Sequence, residues 1–391
     1  MSRPAFLLFF ALGPVLTAAG PGVVPGLNRF SSSIYGKLAH PAGKNLVISP
    51  YSISTALSMA LAGARGETAL EIAKLLGQPV DSTTYHADLA ALVDRIGAAA
   101  NSGENVFLPA NRVWVQRNFT LLPEFAKTLE QTYRAPAAPA DFVKNPEAAR
   151  REINTWTERQ TRGRIKDLFA PGALDSDTRL VLTSAVYFYG KWERPFNPRQ
   201  TQPAPFTPTS GAPVQTDFMN QTARYRYAEA AEGQFLEMQY AATGLAFDIL
   251  LPKPGASAEM PAPDRLTAWI GALQERNVRV AIPKFRIESE FSLGATLSAL
   301  GMRSAFGSDA DFSGIDGRRD LNLAQAIHKA FIEVNEAGTE AAAATGLGVS
   351  LVSMPINPDP VFRADRPFLY WVRDTRSGLI LFTGRLANPK M

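Results

Sequence analysis

The chain has 391 residues, of which 46% are hydrophobic and 19% are charged, as in a globular protein with a substantial core. Its 40 basic and 36 acidic residues give a formal charge of +4 and are scattered along the sequence, which excludes a nucleic-acid-binding function. Cysteine is absent, which excludes disulfides and thiol chemistry.

The N-terminus is typical of a secretory signal. Arg3 precedes an apolar run over residues 5–16, and the small residues 17–19 follow it. The run is shorter than the roughly 20 residues that a membrane-spanning helix requires, so we expect residues 1–19 to be a signal peptide and not an anchor. The protein is then secreted, either extracellular or periplasmic if bacterial, and has no membrane partner.

The N-terminal half is predicted to be largely helical. Apolar residues recur at the spacing of amphipathic helices, and Asn145 with Pro146 is typical of a cap followed by a first helical position. The run over residues 180–189 is too apolar for an edge strand and is predicted to be a central one. The predicted helices cover residues 25–38, 52–62, 68–76, 85–96, 124–133 and 147–161, with a strand core at 113–115.

The C-terminal half is predicted to be largely β-structure. Several short strands with turns are expected over residues 204–251, and the alternation at 332–335 predicts a half-buried strand. Helices and strands interleave without a βαβ rhythm, which indicates a mixed α+β domain. The remaining predictions are a loop at 254–263, a helix at 266–276 and a strand at 278–287 interrupted at Pro283.

No motif of an enzyme is present. The three histidines, His40, His86 and His328, have no metal-ligand spacing. There is no nucleophile elbow, phosphate loop or dinucleotide fingerprint. Residues 307–314 are acidic but lack the ligand ladder of a calcium loop, so a turn is predicted there. We therefore predict a non-enzyme without a metal site or cofactor.

Several segments resemble, in the same order, those of the serpin family. Asn335-Glu-Ala-Gly-Thr-Glu-Ala-Ala-Ala-Ala344 is similar to the hinge of inhibitory serpins, and the similarity extends from about residue 25 to 389. It implies the α+β serpin fold in one domain over residues 20–391, with three β-sheets, eight or nine helices and an exposed reactive-centre loop at about 338–361. The other similar segments are residues 45–57, 181–196, 282–287, 310–315 and 362–372.

The resemblance implies a suicide inhibitor of serine proteases. The target cuts the exposed loop and forms an acyl-enzyme, and the freed loop then inserts as a strand into the central sheet. Alternation from Thr339 gives one uncharged face and places Glu340 on the other. By composition alone this alanine-rich stretch would favour a helix or a linker. The hinge comprises Glu336, Gly338, Thr339, Ala341, Ala342, Ala343 and Ala344.

The family spacing also predicts the bond that is cut. The scissile residue lies thirteen positions after Thr339, and 339 + 13 = 352, which places the reactive bond between Val352 and Ser353. Valine suits an elastase-like pocket. Leu351 and Met354 are neighbouring alternatives that would suit a chymotrypsin-like pocket.

Two polar clusters are implied around the central sheet. The shutter, behind its middle, comprises Ser49, Ser52, Ser184 and His328, and Ser184 occupies a position where the family usually has asparagine. The breach, at the top of the sheet, comprises Trp192, Lys284 and Glu336, with an ion pair expected between the last two.

The sequence thus predicts an inhibitor that forms a covalent acyl complex with a serine protease. The alternatives are a non-inhibitory serpin acting as a carrier, chaperone or storage protein, and an inhibitor of cysteine proteases. Residues 85–101, where some serpins bind heparin, contain Arg95 as their only basic residue. We therefore expect no heparin-type activator, and we expect a monomer.

Overall fold

The structure is a computed structural model that describes residues 22–41, 43–79, 84–339 and 358–390. Within these ranges the chain forms nine α-helices and fifteen β-strands. The helices are α1 (Val23–Leu38), α2 (Pro50–Gly63), α3 (Gly66–Leu75), α4 (Tyr85–Ala100), α5 (Pro123–Gln131), α6 (Pro146–Gln160), α7 (Pro263–Gly271), α8 (Gly294–Ala299) and α9 (Ser313–Asp316).

The strands interleave with the helices along the chain, which confirms the mixed α+β class. They are β1 (Leu46–Ile48), β2 (Val106–Gln116), β3 (Ala138–Ala140), β4 (Leu180–Lys191), β5 (Gln202–Phe206), β6 (Val214–Ala230), β7 (Gly233–Gln239), β8 (Leu245–Pro252), β9 (Gln274–Pro283), β10 (Phe285–Ser292), β11 (Gln325–Val334), β12 (Gly338–Thr339), β13 (Val361–Arg363), β14 (Phe368–Asp374) and β15 (Ile380–Leu386).

Hydrogen bonds join the described strands into two sheets, where three were expected. The nine-stranded sheet has the order β1-β15-β14-β8-β7-β6-β9-β13, with β5 also paired to β6. The six-stranded sheet has the order β10-β11-β12-β4-β2-β3, and β11 also pairs directly with β4. The nine-stranded sheet is continuous because the 17-residue strand β6 pairs with β5 at its beginning and with β7 at its end. The described strands therefore do not separate into a third sheet.

Helix α2 lies in the interior, where it contacts β2, β4 and β15. Its small side chains permit this close packing, and all its residues except Leu61 and Ala62 are buried. The Ser49 hydroxyl caps the helix by accepting a hydrogen bond from the backbone N–H of Ser52, and Pro50 takes the first position. Asn145, the predicted cap of α6, makes no side-chain capping bond, although Pro146 begins that helix as predicted.

Two predictions of local structure were wrong. The helix predicted over residues 266–276 ends at Gly271, because residues 274–277 pair with β6 and lie at the start of β9. The strands predicted to be short over residues 204–251 include the long β6. The alternation predicted over residues 332–335 is confirmed, since Ile332 and Val334 are buried and Glu333 and Asn335 are partly exposed, although the earlier part of β11 is buried from Ala326 onward.

A buried ion cluster crosses the nine-stranded sheet. The Arg373 guanidinium donates to Asp248 at 2.7 Å and to Glu237, and Arg226 pairs with Glu237 at 2.9 Å. Burial raises the pKa of Asp248 to about 6, and the charge of Arg373 opposes this rise. Because each buried carboxylate has a guanidinium partner, the cluster is electrically compensated and links β6, β7, β8 and β14. No helix in the described ranges is long and apolar enough to cross a membrane.

Candidate functional site

The central feature of the six-stranded sheet is a seam between β4 and β11. Residues 181–186 of β4 pair with residues 325–330 of β11 in parallel. Beyond this pairing, the two-residue strand β12 lies between them, with Thr339 opposite Val334 on β11 and opposite Gly190 on β4. The beginning of the predicted loop is therefore already a strand of the sheet, at the end of the seam.

Glycines permit this insertion. A Cβ atom at Gly338 would collide with the carbonyl oxygen of Gly190, and one at Gly190 would collide with the rings of Phe188 and Tyr240. The backbones of β12 and β4 can therefore approach only without side chains at these positions. The close approach of two strands therefore explains the glycine in the hinge.

Thr339 is held in the sheet by a tyrosine that the sequence did not single out. Its side chain is 1% exposed, and its hydroxyl lies 2.6 Å from the Tyr240 hydroxyl. The Tyr240 ring stacks on Trp192, with centroids 4.8 Å apart and planes 14° apart. Tyr240 is one of ten tyrosines and follows β7 directly, so only the folded arrangement distinguishes it.

The three breach residues come together where β12 enters the sheet. Lys284 Nζ lies 3.1 Å from Glu336 Oε2, and the Thr201 hydroxyl donates to Glu336 Oε1 at 2.8 Å. The indole Nε1 of Trp192 donates to the carbonyl oxygen of Asn335 at 2.9 Å. Burial tends to raise the pKa of Glu336, but hydrogen bonds from its own backbone, Thr201 and Lys284 outweigh it, so the pKa is lowered. Glu336 is thus held as an anion beside the hinge.

The shutter residues form one hydrogen-bonded network across the seam. The backbone N–H of Ser49 donates to His328 Nε2 at 2.9 Å, so Nε2 carries no proton. His328 Nδ1 then donates to the carbonyl oxygen of Ser184 at 3.0 Å and lies 3.1 Å from its hydroxyl. Ser184 and His328 are also opposite each other in the register of β4 and β11. Separating the two strands must therefore break the contacts of the imidazole.

The network includes an asparagine that the sequence did not predict. Ser184 donates to Ser52 at 3.0 Å, and Ser52 donates to Asn111 Oδ1 at 2.6 Å. Asn111 Nδ2 donates back to the carbonyl oxygen of Ser52 at 3.2 Å. Asn111 is on β2, directly opposite Ser184. The family usually has an asparagine at the position of Ser184 on β4. Here Asn111, opposite Ser184 on the neighbouring strand β2, provides the amide group.

Residues 25–389 match the family described as serpin (serine protease inhibitor). The chain belongs to the serpin family. An uncharacterized serpin-like protein of Thermococcus kodakarensis is 37% identical over 372 residues, with 94% of this chain and 86% of the relative covered. The leukocyte elastase inhibitor of Sus scrofa is 36% identical, with 92% and 98% covered. The crystal structure of uncleaved ovalbumin is similar with a TM-score of 0.85 at 29% identity, covering 94% of this chain and 100% of that one.

Family membership confirms the predicted serpin fold and fits a protease inhibitor rather than a catalyst. Part of the predicted site lies outside the described residues. This part comprises the hinge residues Ala341, Ala342, Ala343 and Ala344, the predicted reactive bond Val352–Ser353 and the alternatives Leu351 and Met354. Within the described ranges, no group of three or more His, Asp or Glu side chains is arranged to hold a metal ion.

Glu336→Lys is expected to loosen the breach. The Glu336 side chain is 14% exposed and that of Lys284 is 38% exposed, so replacing their attraction by repulsion costs about 1 kcal/mol, in the range of partly screened pairs. We expect a lower temperature of unfolding and more polymer after mild heating, measured by calorimetry and native electrophoresis. The charge-swapped variant Glu336→Lys/Lys284→Glu restores the pair and should recover most of the loss. Equal polymerisation of both variants would contradict the ion-pair explanation.

The stability of the protein is expected to depend on pH through His328. Burial lowers the pKa of His328 from 6.5 to about 4. Below pH 6.5 the unfolded chain therefore binds a proton that the folded protein excludes, and stability falls until the pH approaches 4. The difference between pH 7 and pH 5 is about 2 kcal/mol for this one group.

His328→Gln removes this contribution, so its temperature of unfolding should fall less than that of the wild type between pH 7 and pH 5. The pKa of His86 is also lowered by burial to about 4, and His86 contributes equally in both proteins. Scanning calorimetry at the two pH values makes the comparison. The same fall in both proteins would show that His328 is not held neutral.

Proposed function

We propose that this serpin is a secreted, monomeric inhibitor of elastase-like serine proteases that traps the acyl-enzyme by inserting its cleaved loop at the seam. The observation that carries the proposal is the position of β12. Gly338 and Thr339 already pair with β4 on one side, and Thr339 pairs with β11 on the other. The remainder of the loop can therefore extend an existing strand instead of nucleating a new one. Residues 1–19 support export, since they have the layout of a secretory signal.

The covalent step fixes the protease to the loop. The serine hydroxyl oxygen of the protease attacks the carbonyl carbon of Val352, and the amide bond to Ser353 breaks. The amine of Ser353 leaves with a proton, and an ester joins the protease to Val352. The loop is then cut but still attached to the protease, so insertion from Thr339 onward carries the protease along the sheet before water hydrolyses the ester.

Insertion replaces one parallel pairing by two antiparallel ones. β12 runs antiparallel to both neighbours, whereas β4 and β11 are parallel to each other. Antiparallel pairing is slightly more stable per residue, and the new strand also satisfies its own backbone groups. Stabilisation therefore accumulates with each inserted residue, provided that the seam separates.

The identity of Val352 supports an elastase-like target. Its short apolar side chain suits a shallow pocket, whereas a trypsin-like pocket requires a cation. The relative from Sus scrofa named leukocyte elastase inhibitor, at 36% identity, supports the same class. The prolines at 355, 358 and 360 disfavour regular structure directly after the predicted bond, which suits an accessible loop.

The first test is a covalent complex that survives denaturation. Wild-type protein incubated with an elastase should give one, and with trypsin should give none. Val352→Arg should reverse this preference, because the arginine gains a charge pair in a trypsin-like pocket. The released peptide, identified by mass spectrometry, should begin at Ser353. A peptide that begins at Val352 or Pro355 would move the scissile residue to Leu351 or Met354. Cleavage without any complex would indicate a non-inhibitory serpin.

Thr339→Arg is expected to convert the inhibitor into a substrate. The position is 1% exposed, so an arginine there must be buried without a partner or must leave the sheet. The cost is on the order of several kcal/mol, which slows insertion and lets hydrolysis of the ester win. The measurement is the number of inhibitor molecules consumed per protease inactivated.

Glu340→Arg is the matched control for this variant. It places the same side chain on the face that alternation predicts to be solvent-exposed. Trapping should persist in this control. Equal trapping by the Thr339 and Glu340 variants would show that the inward face is assigned incorrectly.

A further inference from the structure

A groove with a strong positive charge lies between α6 and the edge of the six-stranded sheet. Its volume is about 550 Å³, within the range of ligand-binding sites in proteins. Four arginines and one glutamate line it, so the lining has a formal charge of 4 − 1 = +3. The charged lining residues are Arg112, Arg117, Arg151, Arg159 and Glu152.

Two elements supply the arginines. Arg151 and Arg159 are eight residues apart on α6, which places them on one stripe of the helix. Arg112 is on β2, and Arg117 follows that strand directly. Arg159 is exposed and lines the groove.

None of these four arginines forms an ion pair with a residue that the structure describes, whereas other basic residues nearby do. Arg150 pairs with Glu147 at 2.9 Å, and Lys166 pairs with Glu158 at 3.5 Å. The four arginines that line the groove therefore have no acidic partner within ion-pair distance in the described ranges, although Asp141 and Glu147 interact electrostatically with Arg117 and Arg151. A solvated basic surface would explain the exposed Arg117, Arg151 and Arg159 but not Arg112.

Arg112 differs because its guanidinium is partly removed from water. Its Cζ lies 4.3 Å from the ring centroid of Trp156 and 5.5 Å from that of Trp114. Its Nε is buried without a hydrogen-bond partner in the described part of the chain, and burial lowers its pKa. A buried donor without an acceptor is costly, and the two indole rings compensate its charge only in part. Arg112 therefore adds to the groove lining a partly buried guanidinium that forms no ion pair in the described ranges.

We propose that this groove binds an oxyanion with several phosphate or sulfate groups. The guanidinium fork matches the oxygen geometry of both groups, and charge-assisted hydrogen bonds are the strong ones. Positions eight residues apart on a helix are separated by about 12 Å along its axis. Because the arginines are spread along this length of the groove, a ligand with several charged groups can contact more of them at once than a single phosphate or sulfate ion can.

Binding has a consequence for the seam, and this step depends on the proposed function. Ile153 of α6 and Phe169, which follows the helix, pack in one cluster with Val181 of β4 and Ile327 of β11. Lys329 of β11 also donates to the carbonyl oxygen of Lys166 at 3.0 Å. Helix α6 and the segment after it therefore cover the seam. An anion that links α6 to β2 holds this cover in place and slows insertion.

The expectation of no heparin-type activator was based on residues 85–101. Residues 85–100 form α4, and none of residues 85–101 lines this groove. The proposed effect is also opposite in direction, since the ligand delays trapping. The loop-inserting residues and the anion site lie on different elements, which allows binding and inhibition to be measured separately.

Binding is tested on the full chain by calorimetric titration at low ionic strength. The probes are inorganic tripolyphosphate, sucrose octasulfate and inorganic phosphate. Tripolyphosphate or sucrose octasulfate should bind, and whichever binds more tightly identifies phosphate or sulfate as the preferred group; inorganic phosphate should bind far more weakly. Arg151→Gln/Arg159→Gln should raise Kd about tenfold or more, because each lost guanidinium removes charge-assisted hydrogen bonds. Both positions are exposed, so the variant should fold.

Arg276→Gln/Arg279→Gln is the control, since it removes two exposed arginines from β9. Its Kd should stay within about twofold of the wild-type value. The site is disproved if neither multivalent probe binds the wild type, if the control variant loses as much affinity, or if inorganic phosphate binds equally well.

The proposed effect of the ligand on α6, which covers the seam, is tested by measuring how efficiently the protein traps elastase. A saturating multivalent probe should raise the number of inhibitor molecules consumed per elastase in the wild type but not in the double variant at α6. An unchanged number with the probe bound would overturn the effect on insertion. Failure of the wild type to trap elastase without any probe would instead refute the proposed function, and the binding result would stand.

Discussion

The structure depends on the direct pairing of β4 with β11, because this pairing joins the two parts of the six-stranded sheet. It is parallel, whereas β2 pairs antiparallel with β4 and β10 pairs antiparallel with β11. Parallel pairs are slightly less stable per residue, so the seam is the weakest of these three strand boundaries. The sheet can therefore separate there without loss of its stronger pairings. In the proposed mechanism, the inserted loop replaces the six residue pairs at the seam.

Polar groups contact the seam strand β11 on both faces of the sheet. On one side of the sheet, His328 contacts Ser184 and Ser49 in the interior. On the other, Lys329 pairs with Glu288 at 3.0 Å and Glu290 at 3.2 Å while also donating to the carbonyl oxygen of Lys166. Burial and these partners oppose each other at Lys329, and the partners prevail, since its pKa is raised. In the proposed mechanism, opening the seam breaks the contacts of His328 with Ser184, which creates a kinetic barrier, whereas the ion pairs of Lys329 join β11 to β10 and are kept.

The sequence predicted the local and repetitive features of the fold and missed those set by cross-strand neighbours. Helices α1 to α6 follow from apolar periodicity, and the order of the family motifs gave the fold. Asn111 could not be predicted, because its role comes from lying opposite Ser184 in the register of β2 and β4. The same holds for Tyr240, whose partner Thr339 is 99 residues away in sequence. Residues 274–276 have the composition of a helix, and only the pairing with β6 makes them a strand.

Glu336, Gly338 and Thr339 of the hinge each meet a different structural requirement. Within four residues the chain must hold an anion against Lys284, approach β4 without a side chain at Gly338, and bury a hydroxyl against Tyr240. Each requirement comes from a different part of the chain. Lys284 lies between β9 and β10, the close approach is to β4, and Tyr240 directly follows β7. A substitution in the hinge therefore acts on the junction of both sheets. In the proposed mechanism, the residues that begin insertion are the ones by which the intact protein keeps the end of the seam closed.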